Sequence, residues 1–249
     1  MWQLDRTGAP PSWRDITEAR AVLAFSTRLG GVSAPPFDTL NLGRSTDDRP
    51  DAVTENRRRL LAGIGLDPER LATAGQVHGA DIREALAPGH LDRCDALVTR
   101  QPGLALAVTT ADCMPLLLVA RGAVAAVHAG WRGTAGGAPR VTLEALCRIA
   151  GTTPAEVEVH LGPCIRSCCY QVGSEVAGRF PATAVRRVGD VLHLDLPVAA
   201  RDQLLQAGLA ESAWHDTGGC TSCERELYFS HRRDEGRTGR HWGVIAIPE

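Results

Sequence analysis

LALAVT at residues 104–109, PLLLVA at 115–120 and AVAAVH at 123–128 follow one another closely, each run short, mostly apolar and bounded by turn residues. Runs without polar alternation are the pattern of strands covered on both faces, because a strand wetted on one side alternates with period two. Three such strands in succession, with no helix between them, predict direct strand pairing rather than a pure βαβ repeat. Elsewhere strands and helices alternate. Residues 21–27 and 157–161 read as strands, and 242–247 as the last one. A helix is expected after Asp48 as N-cap, with Pro50 in its first turn, apolar Val53, Leu60 and Leu61, and a stop at Gly63. Residues 139–150 read as a helix ending at Gly151, residues 197–206 as one ending at Gly208, and Ser174 as the cap of a short helix. The fold class that follows is α/β: a single-domain mixed β-sheet layered sandwich flanked by helices, spanning residues 1–249.

Composition narrows the function classes. With 44% hydrophobic residues, the 249-residue chain supports one sizeable core. There are 29 acidic residues against 27 basic, and no segment concentrates positive charge, so nucleic acid is not an expected partner. No apolar stretch approaches the roughly 18 residues of a membrane span. The start, Met1-Trp2-Gln3-Leu4-Asp5, has neither a charged lead nor an apolar signal region, so no membrane partner and a cytoplasmic location are expected. The sequence contains no Lys, which excludes Schiff-base lysine catalysis and the Lys-terminated Walker phosphate loop; any phosphate must be held by Arg or backbone N–H groups. A monomer or homodimer is feasible at 26.5 kDa. The eight cysteines, Cys94, Cys113, Cys147, Cys164, Cys168, Cys169, Cys220 and Cys223, are expected to be reduced in a long, core-rich chain of this kind.

Three segments place a metal-capable residue at the end of an apolar run beside small or turn residues. They are Gln76-Val77-His78-Gly79, Ala111-Asp112-Cys113-Met114 and Val127-His128-Ala129-Gly130. Two imidazoles and one thiolate form a borderline-soft set suited to zinc, and three protein ligands leave a fourth position open, as in a catalytic site. The residues alone are also compatible with hydrogen-bonded histidines and a packed, inert Cys113. Cys220-Thr221-Ser222-Cys223 resembles half of a structural zinc site, for which the adjacent Cys168 and Cys169 are no obvious second half; these four are read as structural.

The motifs together carry a resemblance. STRLGGVS (26–33), LNLG (40–43), QVHGAD (76–81), TADCMP (110–115), HAGWRGT (128–134), GPC (162–164), CCY (168–170), CTSC (220–223), FSHRRD (229–234) and TGR (238–240) run in order over nearly the whole chain. They resemble the YfiH family of laccase-like proteins, whose members have been described as purine nucleoside phosphorylases, polyphenol oxidases and peptidoglycan editing factors. The resemblance implies a YfiH-like fold. It implies His78, Cys113 and His128 as metal ligands, and Arg57, the first Arg of Asn56-Arg57-Arg58, as the phosphate-anchoring arginine. This sequence departs from the pattern at Arg44-Ser45-Thr46-Asp47, where relatives often carry His and then Gly-Asp, and at Arg166-Ser167, where Gly-Pro is common.

The expected function is a zinc-dependent purine nucleoside phosphorylase with adenosine deaminase activity, its partners a small nucleoside and phosphate. Arg57 suits phosphate because a planar guanidinium binds it bidentately. Asp112, the acid nearest a ligand in sequence, is a candidate second catalytic residue, as orienter or proton shuttle, with loop capping as the alternative. Asn41 and Gln76 are candidate hydrogen-bond partners for ribose or base, and equally able to satisfy loop backbone. Arg232, Arg233 and Arg240 either line the pocket or pair with Asp234 and Glu235. Two rival functions stand. A copper-dependent phenol oxidase is suggested by two His and one Cys beside Met114, although none of His78, His90, His128, His160, His193, His215, His231 and His241 forms a His-x-His pair. A peptidoglycan editing factor could use the same metal on an amide.

Overall fold

The computed structural model describes residues 1–7, 10–15 and 20–249 and forms each of the three apolar runs as a strand. In chain order the elements begin β1 (Trp2–Asp5), β2 (Ser12–Asp15), β3 (Val22–Ser26), α1 (Pro50–Gly63), β4 (Leu71–Gly75), β5 (Ile82–Glu84), β6 (Gly89–Asp92) and β7 (Ala96–Thr99). Next come β8 (Ala105–Thr110), β9 (Met114–Ala120), β10 (Ala123–Ala129), α2 (Trp131–Ala135), α3 (Ala138–Ala150), β11 (Glu158–Leu161) and β12 (Gln171–Val172). The chain closes with α4 (Ser174–Ala177), β13 (Val185–Val188), β14 (Val191–Leu194), α5 (Leu196–Gln206), β15 (Trp214–Asp216) and β16 (His241–Ala246).

Two mixed sheets form the body. One has the order β1-β2-β3-β16-β8-β4-β6, the other β15-β11-β9-β10-β7-β5, and a small sheet β12-β14-β13 lies apart. Successive side chains of a strand point to opposite faces, so β9 sends Leu116 and Leu118 into one core and Leu117 and Val119 into another. The first core packs the six-stranded sheet against α3 and α5, through Leu143, Leu146, Ala199 and Leu204. The second lies between the sheets, where Leu117, Val119 and Val124 meet Phe25, Leu106 and Val108. A third covers the outer face of the seven-stranded sheet with Leu60, Leu61 and Ile64 at the end of α1. The result is a helix–sheet–sheet–helix sandwich, which explains why the 104–128 runs show no alternation: every residue of β9 and β10 is buried.

Local capping differs from expectation at two places. Arg49, not Asp48, is the N-cap of α1, and it makes no side-chain cap bond. Asp48 is held instead by the Ser33 hydroxyl at 2.6 Å and the Asn41 amide at 2.9 Å, which pull its carboxylate toward the 33–41 loop. Ser174 is the first residue of α4, whose N-cap is Gly173. Pro50 and Gly63 bound α1 as expected, and Gly151 ends α3 in the left-handed conformation. No helix among the described residues is long and apolar enough to cross a membrane.

Candidate metal centre

Strand register brings the three candidate ligands together. Antiparallel pairing of β9 and β10 sets Met114 opposite Ala129 and Pro115 opposite His128, so Cys113, one residue before β9, lies beside the end of β10. On the other side of β10, Val127 pairs with Ala96, which carries Asp95 alongside His128. His78 arrives on the loop after β4. The donor atoms of His78, Cys113 and His128 all lie within 4.8 Å of one another, and the two imidazoles meet edge-on at 4.9 Å. Gly130 leaves the space: a Cβ there would sit 2.8 Å from Cys113 Sγ and 3.4 Å from His78 Cδ2. His128 is buried, Cys113 is half-buried and His78 is exposed, so the set opens outward. Two imidazoles and a soft sulfur within reach of one point fit a single bound metal ion.

Asp95 holds this arrangement. Fully buried, it accepts the backbone N–H groups of Val77 at 3.2 Å, His78 at 2.9 Å and Gly79 at 2.7 Å, which fixes His78 at a left-handed φ of 62°. The same carboxylate lies 2.8 Å from His128 Nδ1. With that nitrogen engaged, Nε2 is the one presented toward Cys113, the carboxylate–histidine arrangement that orients metal-bound imidazoles. Burial works against an ionised Asp95, but the His128 hydrogen bond and the Gly79 and Val77 N–H groups outweigh it and lower its pKa. Burial also disfavours the Cys113 thiolate. The His128 charge and hydrogen bonds from both imidazoles reverse that and bring the thiol down to about 6. At His128 burial is overcome by the Cys113 charge and by Asp95, which raise the imidazole to about 9. A metal cation replaces the proton such a pair shares.

The ligand set opens into a cleft of about 610 Å³ lined by five arginines, Arg44, Arg57, Arg132, Arg232 and Arg240, and by one acid, Asp112. Arg57 donates from Nε and Nη2 to the Leu42 carbonyl at 2.8 and 2.6 Å and lies 4.5 Å over the Trp242 ring. Burial and the neighbouring Arg44 both oppose its charge and bring its pKa down to about 9, so an anion in the cleft would offset the Arg44 repulsion and favour the charged form.

The other candidates are placed differently. The Asp112 carboxylate accepts the Thr221 hydroxyl and the Arg232 N–H, both at 2.6 Å, and so ties loops together rather than touching a ligand. Asn41 is wholly buried; its amide donates to Thr46 and Asp48 and its oxygen accepts from Gly43 and Arg240 N–H, leaving nothing for ribose or base. Gln76 lines the cleft, but its amide exchanges two 2.7 Å bonds with the Thr109 backbone, continuing the β4–β8 ladder with a side chain. Arg232 and Arg240 line the cleft, whereas Arg233 pairs with Asp234. Asp95 escaped the sequence reading. Its signal was an acid, in Arg93-Cys94-Asp95-Ala96, directly before an apolar run.

A metal-capable trio at the strand ends of a layered β-sandwich defines a class of α/β protein that builds its site from strand register. Within that class the chain belongs to the YfiH family, for residues 22–248 match the family described as multi-copper polyphenol oxidoreductase laccase. The purine nucleoside phosphorylase of Deinococcus radiodurans is 44% identical over 232 residues, 90% of this chain and 88% of that protein. Purine nucleoside phosphorylase YfiH of Escherichia coli K12 is 40% identical over 92% of this chain and 94% of its own length. The crystal structure of YlmD from Geobacillus stearothermophilus superposes with a TM-score of 0.94 at 36% identity, covering 100% of this chain and 99% of that one.

Proposed function

We propose that this chain is a purine nucleoside phosphorylase that cleaves adenosine, inosine, guanosine or methylthioadenosine with phosphate to the free base and the sugar 1-phosphate, and that it also deaminates adenosine. One observation carries the reading: the three metal donors and five arginines share a single cleft. The relatives named above as purine nucleoside phosphorylases point the same way. His78, Cys113 and His128 would hold one zinc ion, which when bound supplies Lewis acidity at a position open to the cleft.

The chain's own groups do the positioning. Arg57, braced by the Leu42 carbonyl and Trp242, holds the phosphate together with Arg44. The phosphate oxygen attacks the anomeric carbon as the bond to the purine nitrogen breaks and its electron pair leaves with the base. Positive charge developing on the sugar is countered by the phosphate that the arginines keep adjacent. Trp131 and Tyr170, half-buried in the lining, offer flat faces for the purine. Asp112 keeps the cleft's loops in place, Gln76 forms part of its wall, and Asn41, buried behind it, holds the Arg240 backbone. We place the enzyme in the cytoplasm, as a monomer or homodimer.

The test is incubation of purified protein with each nucleoside, with and without phosphate. Free base and sugar 1-phosphate should appear only with phosphate, and inosine should form from adenosine without it. Absence of all three products in every condition overturns the reading and favours a cell-wall substrate. The family's description as multi-copper oxidoreductase favours a second reading, a copper oxidase. Against a blue-copper set, Met114 is wholly buried in the core between sheet and helices. Stoichiometric copper and a visible thiolate-to-copper band, in protein purified without added copper, would establish the oxidase.

A further inference from the structure

A second sulfur cluster lies beyond the cleft's ligand set. Cys168 and Cys169 sit on the turn before β12, and Cys220 and Cys223 on the loop after β15. Some 50 residues apart in sequence, the two pairs bring all four Sγ atoms within 4.8 Å of one another. Cys168 is 3.5 Å from Cys220 and 3.6 Å from Cys223, and Cys169 is 3.3 Å from Cys223. Bonded disulfide sulfurs stand at about 2.05 Å. Sulfurs around one tetrahedral zinc, at about 2.3 Å from it, stand roughly 3.8 Å apart. The observed spacings match the second arrangement and not the first. The Cys220-x-x-Cys223 turn is a ligand spacing of zinc sites, and the backbone N–H groups of Arg166 and Cys223 point at the Cys220 sulfur, as around metal-bound thiolates. The Cys220 N–H is held by Glu224 at 2.8 Å, and Cys164 bridges to Cys220 through backbone, so the turn is fixed before any ion arrives.

We infer that Cys168, Cys169, Cys220 and Cys223 form a second metal centre, a closed four-thiolate site for one structural zinc ion. With four protein ligands no corner is left for substrate, so its role is mechanical. The staple joins the turn that carries Tyr170 to the segment that carries Arg232, and Arg232 already lies 5.1 Å over the Tyr170 ring and donates to the Gln171 carbonyl at 2.7 Å. It thereby sets one lip of the cleft. The inference stands whether or not the cleft acts on nucleosides. The test uses a full-length His78→Ala/Cys113→Ala variant, which removes two of the cleft's three donors and its only thiol among them, purified under reducing conditions. Titration with cobalt should give one equivalent with the intense thiolate-to-cobalt absorption of a tetrathiolate centre, displaced by one equivalent of zinc. Adding Cys220→Ser and Cys223→Ser should abolish that band, and in the His78→Ala/Cys113→Ala variant, which lacks the cleft's thiol, zinc should lower thiol reactivity by four groups. Should those serines prevent folding, the cobalt spectrum of the parent variant still decides. No bound cobalt, a spectrum with fewer than four thiolates, or masses showing disulfides among these four would overturn it.

Discussion

The two walls of the cleft are built on opposite principles. On one wall His128 and Cys113 stand at the ends of paired strands buried on both faces, and Asp95 ties His78 to them through backbone N–H groups. On the other, Arg44 and Arg240 lie on loops, and Arg57 is steered by a loop carbonyl and a ring face. Metal ligation tolerates displacements of a few tenths of an ångström, which strand register can guarantee. Anion attraction falls off gently with distance, so loops suffice to deliver it.

Substitutions on the strand wall should therefore do the most damage. His128→Ala should empty the metal site, seen as loss of one metal equivalent, and lower phosphorolysis by about 1,000-fold or more, the loss of several kcal/mol of charge stabilisation. Gly130→Ala, which drives a methyl toward Cys113 Sγ, and Asp95→Asn, which weakens the hold on His128, should each cut zinc affinity by about 10- to 100-fold in a chelator competition. Unchanged affinity in both would show that the strand wall is not as rigidly specified as its register suggests. On the loop wall the effect should be smaller and selective: Arg57→Ala should lower phosphate-dependent kcat/KM by about 30-fold, some 2 kcal/mol, and largely spare deamination. Equal loss of both activities would remove Arg57 from its phosphate role.

A pH test probes the start of β16, next to the loop wall's Arg240. His241 begins β16 beside Arg240, and its Nε2 accepts the Phe229 N–H at 2.8 Å. Burial pushes its pKa from 6.5 down to about 3. Between those values the unfolded chain takes up a proton that the folded one refuses, so stability present above pH 6.5 drains away as the pH falls toward 3. Denaturant midpoints should fall across that window, and His241→Gln should flatten the slope by about one proton. The smallest effect on function belongs to Gln76→Leu. It should cost about 2 kcal/mol of stability by orphaning the Thr109 backbone, yet leave the nucleoside KM nearly unchanged; a large rise in KM would mean that Gln76 touches substrate.

What was legible in the sequence follows the same division. Strands β8, β9 and β10 could be read because burial on both faces writes itself as unbroken apolar runs, and with them the ends where Cys113 and His128 sit. Short strands such as β4 and β6 carry sequences like LATAG and GHLD, whose pairing is fixed by neighbours rather than by pattern. Arg57 as a phosphate anchor came from resemblance, since a helical Arg reads locally as a solvated charge. For Asn41 and Gln76 the sequence left two uses open, because a polar side chain near a loop serves backbone as readily as substrate, and only the fold brings up the backbone partners they take. Asp95 and the gathering of Cys168 and Cys169 with Cys220 and Cys223 depend on contacts between segments far apart in the chain, which no local spacing announces.

The most direct test is a crystal structure of the zinc-loaded protein with phosphate and an unreactive nucleoside analogue, with the metal located by its anomalous signal. A zinc peak shared by His78, Cys113 and His128, with phosphate hydrogen-bonded to Arg57 in the same cleft, is the predicted result. Zinc missing from those three donors, or phosphate seated away from Arg57, would contradict it.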